Sequence, residues 1–97
     1  MEKIKNVCQE IEMVLLYICS KGINEIDCTF LVEKLEDLIF KANNLNMKTG
    51  EYLLSEFIIK NKKYKEGEIG IKEMAKSLMA LDFYSKNIIY YEDQSEL

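Results

Sequence analysis

The sequence predicts an all-α protein, a single domain over residues 1–97 built as a bundle of about four helices with a loose C-terminal segment. Three observations carry this. Apolar residues recur at spacings of three and four along most of the chain, which gathers them on one face of a helix. The 97 residues hold no proline and only four glycines, so few positions interrupt a helix. No segment alternates apolar and polar residues for more than a few positions, as a half-buried strand does.

The first helix takes its inner face from Ile4, Val7, Cys8, Ile11, Val14, Leu15 and Ile18. Lys21-Gly22 ends it, with a cation suited to the last turn and a glycine free to turn left-handed. Met13, Leu16 and Tyr17 fall where the wet face belongs. The second half of this helix is thus apolar nearly all round, which makes it either the central helix of the bundle or part of an interface. A small bundle needs one well-buried member, so the central position is the expectation.

The second helix opens at Asn24, a capping residue followed by acids that suit a helix N-terminus. Cys28, Leu31, Val32, Leu35, Leu38, Ile39 and Ala42 give its inner stripe, Glu33, Lys34, Glu36, Asp37 and Lys41 its wet side, and Asn43-Asn44 its stop. A loop from Leu45 to Gly50 follows, with Asn46 or Thr49 as the next cap. The third helix spans about Glu51 to Asn61 on Leu53, Leu54, Phe57 and Ile58. Lys60 to Gly70 reads as the longest connection. The fourth helix carries Ile71, Met74, Ala75, Leu78 and Leu81, with Met79 and Phe83 beside the stripe. From Ser85 onward the pattern is double: Ile88-Ile89-Tyr90-Tyr91 has strand composition, yet Leu81, Tyr84, Ile88 and Tyr91 keep helical spacing. The expected core is Ile11, Val14, Leu15, Ile18, Leu31, Leu35, Leu38, Leu54, Phe57, Met74, Leu78 and Leu81.

Missing residue types narrow the chemistry. There is no His, and all thirteen basic residues are Lys. Without His there is no Ser-His or Cys-His nucleophilic pair, no imidazole acid or base and no His-containing metal site. Without Arg there is no bidentate clamp for phosphate or carboxylate. The expectation is therefore a non-enzyme with no catalytic residues, no metal and no cofactor. The longest apolar run, Met13 to Cys19, is seven residues, against about 20 needed to cross a bilayer, and no signal peptide is evident. A cytoplasmic protein away from membranes is expected. Cys8, Cys19 and Cys28 lack the spacing of a zinc or thioredoxin motif. Cys8 and Cys19 stand about 16 Å apart along one helix axis, too far to bridge. Three free, packed thiols are expected.

Three constellations test weak and a fourth does not. Asn43 to Glu56 has the look of a calcium loop, but counting back from Gly50 puts Leu45 and Met47 where oxygen ligands belong. Glu10 with Glu12, Glu33 with Glu36 and Asp37, and Glu66 with Glu68 read as solvated faces. Lys60, Lys62, Lys63 and Lys65 surround Tyr64, but the chain carries a net charge of −4 with a pI near 4.9, so no direct contact with nucleic acid is expected. The C-terminal stretch is the sharpest candidate. Tyr90, Tyr91, Glu92, Asp93 and Glu96 combine aromatic anchors with carboxylates that steer and pair. Together these point to a small acidic protein-binding module. Its most concrete form is an immunity or antitoxin protein that covers the active or substrate-binding surface of a basic toxin or nuclease domain. The alternative is a structural or regulatory helical protein that self-associates, as a homodimer, through Met13, Leu16 and Tyr17.

Overall fold

The computed structural model describes the backbone of residues 2–95 and the side chains of residues 2–90. The chain forms four helices: α1 (Glu2–Lys21), α2 (Cys28–Asn44), α3 (Lys48–Lys65) and α4 (Ile71–Ser95). No strand occurs among the described residues. Each helix packs on two others, α1 on α2 and α4, α3 on α2 and α4, so the four close into a ring around one core. Neighbours run antiparallel. Tyr17 meets Phe30 while Glu10 meets Lys41, and Gly50 meets Tyr84 while Lys60 meets Glu73.

The predicted inner stripes are the core. Ile11, Val14, Leu15, Ile18, Leu31, Leu35, Leu38, Leu54, Phe57, Met74 and Leu81 are buried, and Leu78 packs half-buried against them. Two expected members lie outside. Cys28, the first residue of α2, and Ile71, the first of α4, are exposed because a helix's first turn projects past the layer that its later turns bury.

The connections differ from expectation in instructive ways. The N-cap of α2 is Asp27, not Asn24: its carboxylate accepts the Thr29 N–H at 2.9 Å, leaving Ile23 to Ile26 as a turn that buries Ile26. After α2, Asn46 adopts φ 57°. The Met47 N–H then bonds the Ala42 carbonyl and the Asn46 N–H the Asn43 carbonyl, the paired bonds that close a helix end around one left-handed residue. Asn tolerates that conformation better than other side chains except glycine. Asn46 thus ends α2 rather than capping α3, and Met47, the N-cap of α3, makes no side-chain cap bond.

Helix α3 runs to Lys65, so Lys60 to Lys65 is not loop. Its inner face continues through Asn61 and Tyr64. A polar residue at a core position breaks the apolar spacing, which is why the sequence pattern stops one turn early. The lysines placed here suit the negative end of the helix dipole. In α4 the helical spacing prevails over the strand composition as far as Ser95. The loose segment expected from Glu92 to Leu97 is therefore helical backbone as far as Ser95, and residues 96–97 lie outside the described residues.

Gly50 shows how tightly α3 and α4 meet. A Cβ there would stand 2.9 Å from the Tyr84 hydroxyl and 3.0 Å from a ring carbon. The Gly50 backbone, in the first turn of α3, thus lies directly against the Tyr84 ring.

Two stability outcomes follow from this packing. Leu35→Ala should cost about 2–5 kcal/mol in urea unfolding, since Leu35 is fully enclosed. Gly50→Ala should destabilise despite the roughly 1 kcal/mol helix-propensity gain of alanine. Combining it with Tyr84→Phe, which removes the nearest atom, should recover part of the loss; a strictly additive double variant would refute the steric account.

Candidate functional site

Met13, Leu16 and Tyr17 do not make α1 a central helix. Met13 is 71% and Leu16 70% exposed. The ring gives α1 only two neighbours, so its third side faces outward whatever residues occupy it. Beside this face lies a groove of about 220 Å³ between α1 and α2. Val14 and Leu31, both buried, form its floor. Met13, Tyr17, Phe30 and the stem of Lys34 form its walls. Tyr17 and Phe30 close one end edge-to-face, with ring centroids 6.0 Å apart, a geometry that aromatic quadrupoles favour. Glu10 marks the other end.

That end is charged and ordered. The Lys41 ammonium sits 3.0 Å from Glu10 across the helix pair and 3.3 Å from Asp37 one turn back. The hydrogen bonds that the ammonium donates to these two carboxylates push the Lys41 pKa up. Two carboxylates thus share one ammonium. Glu33 and Glu36 are exposed further round α2. A groove with apolar walls, an aromatic stop and a pair of carboxylates at its far end suits an apolar side chain carried near a cation.

On the opposite side of α1 stands a second ion cluster. The Lys86 ammonium is 3.2 Å from Asp82 and 3.9 Å from Glu12. Glu12 is not on a wet face, as its neighbourhood in sequence suggested: it leans into the α1–α4 seam, and its Oε2 is buried with no hydrogen-bond partner. Burial first, then a hydrogen bond and like charge from Asp82, raise its pKa from 4.5 to about 7, with Lys86 opposing. Cys8, one turn earlier, is fully enclosed, and burial with the charge of Glu12 pushes its thiol up to about 11.

The expected C-terminal patch is only partly described. Tyr90 is exposed on α4. Tyr91, Glu92 and Asp93 belong to the same helix, but their side chains lie outside the described residues, as does Glu96 altogether. The basic run Lys60 to Lys65 is divided: Lys60 bonds Glu73 at 3.1 Å, and Lys65 donates to the Ile23 carbonyl at 2.7 Å. Asn43 and Glu51, within the rejected calcium loop, bond one another across the α2–α3 turn at 3.2 Å. Among the described residues no cluster of three or more Cys, Asp or Glu is placed to hold a metal ion, and no helix is long and apolar enough to cross a membrane. The groove was missed as a site because its walls come from two helices. Its one signal in the sequence was the misplaced trio of Met13, Leu16 and Tyr17.

No family model matches the chain, and neither a curated protein nor a solved structure matches it.

The Glu12 cluster makes stability depend on pH. Between about pH 4.5 and 7 the folded chain holds a proton at Glu12 that the unfolded chain releases, so folding weakens as pH rises through that window. The urea midpoint should therefore be higher near pH 5 than near pH 8 as far as this group contributes, and Glu12→Gln should flatten the difference. A wild-type profile unchanged by the substitution would rule out Glu12 as the source. For the thiols, all free, exposed Cys19 and Cys28 should react promptly with a thiol reagent, while Cys8 waits for unfolding.

Proposed function

We propose that this chain is a small protein-binding module that acts by occupying a partner's surface, with the α1–α2 groove as its contact site. The single observation that carries the reading is the groove itself: an apolar slot with a fixed aromatic end, open to water, in a chain without His or Arg. In water such walls are left with unburied apolar area, and docking an apolar or aromatic side chain recovers it.

The most concrete form is an immunity or antitoxin protein in the cytoplasm, neutralising a basic toxin such as a nuclease by covering its substrate-binding surface. On this reading the chain is not an enzyme and needs no cofactor. The charge is distributed to support it. Glu10 and Asp37 lie at the charged end of the groove, Glu33 and Glu36 are exposed further round α2, and Glu92, Asp93 and Glu96 follow at the C-terminus. Carboxylates on a rim steer a basic partner and speed encounter, while enclosed apolar anchors set how long it stays.

A photo-crosslinking residue in place of Tyr17, introduced in the native cell, should capture a basic protein whose activity the purified chain then inhibits. Against that partner, Met13→Asp should speed dissociation at least about tenfold, as expected for an anchor worth more than 1.4 kcal/mol. Neutralising Glu33, Glu36 and Asp37 together should slow association and flatten its salt dependence. Capture of nothing but a second copy of the chain would sink the partner reading.

A further inference from the structure

The outward face of α4 carries a stripe of its own. Lys72, Lys76, Met79, Phe83 and Lys86 follow at spacings of four, three, four and three, so they stand in one row along the helix. The apolar centre of that row is open to water, with Met79 66% and Phe83 72% exposed. Lys72 and Lys76 are exposed as well. This is the chemistry the α1–α2 groove suits: apolar side chains with cations one turn away.

We propose that the α1–α2 groove receives the outward stripe of α4 from a second copy of this chain, head to tail. The two surfaces match in length. Glu10 to Tyr17 along the groove is seven residues, about 10 Å of helix, and Lys76 to Phe83 along the stripe is the same. They match in charge as well. With Phe83 at the aromatic end, beside Tyr17 and Phe30, Lys76 arrives where Glu10 and Asp37 share the single Lys41 ammonium. Met79 then lies over the middle of the slot, against Met13. Lys34 keeps its stem on the wall and its ammonium in water.

Groove and stripe belong to different helices, so each copy offers one donor and one acceptor surface, and the contact need not close on itself. This separates it from an isologous dimer through α1, in which a single patch meets its own copy. It shares the groove with the partner reading but does not rest on it, because it concerns the pure chain.

The test is sedimentation equilibrium on the pure chain, from micromolar to about millimolar concentration, a range suited to a small interface. Wild type should show a mean mass that climbs above 11.4 kDa with concentration and falls back in high salt. Met13→Asp, which spoils the groove, and Phe83→Asp, which spoils the stripe, should each stay at monomer mass. Both sites are exposed, so helical circular dichroism and urea midpoint should stay at wild type. An equimolar mixture of the two variants retains one good groove and one good stripe, and should recover a 1:1 pair that grows no further. Lys76→Glu should weaken association several-fold and remove its salt dependence. Three outcomes overturn the proposal: wild type at monomer mass throughout, either Asp variant associating like wild type, or a mixture that stays monomeric.

Discussion

A ring of four helices gives each helix two neighbours and one inward stripe, and nothing to cover its remaining side. That constraint governs the rest of the molecule. Inward positions are filled mostly with Leu, Ile, Val, Phe and Met and are almost completely enclosed. Outward positions meet water whatever their residue type. Met13 and Leu16 on α1, Phe40 on α2, Tyr52 and Ile59 on α3, and Met79 and Phe83 on α4 are all large, apolar and exposed. Single exposed apolar residues are ordinary. Residues that share a groove or a helical row are not, because contiguous apolar area is what association removes from water.

The two seams flanking α1 are fastened by opposite electrostatic logic. Toward α2, the Lys41 ammonium sits between the part-exposed Glu10 and Asp37 carboxylates. Such pairs fix geometry more than they add stability. Toward α4, Glu12 and Asp82 face one another beneath Lys86. One ammonium serves two carboxylates, and an Oε2 of Glu12 has no partner. Burial and then the neighbouring Asp82 carboxylate raise the Glu12 pKa there to about 7. The α1–α4 seam therefore holds a carboxyl that titrates near neutrality.

Most of the fold was legible because the core stripes repeat with helical spacing and the core tolerates no competing signal. The sequence misled wherever one residue served two demands. Asn61 occupies a core position with a polar side chain whose Oδ1 has no partner among the described residues, and so hid the last turn of α3. Asn46 reads as a cap and instead supplies the left-handed turn that ends α2. The candidate site was legible only as an anomaly. Met13, Leu16 and Tyr17 announced surplus apolar area, but burial inside the bundle and exposure beside a groove leave the same mark on a single helix. Only Phe30, thirteen residues beyond Tyr17 and on another helix, separates the two. Pairings of that range are set by topology rather than by local pattern.

The surplus outward area also limits what the chain can do alone. Exposed apolar side chains persist in a folded sequence only if their exposure is tolerable or their burial occurs elsewhere. On α1 and α2 they are arranged as a slot rather than scattered. The slot is bounded by an edge-to-face aromatic pair at one end and an ordered ion triad at the other. Both boundaries restrict what fits. The aromatic end favours a bulky apolar group, and the triad, with two negative charges against one positive, favours a cation beside it. A non-specific sticky surface would lack that polarity. On the proposed reading the arrangement selects for chemistry and direction together, and an amphipathic helix with lysine one or two turns from a phenylalanine satisfies both.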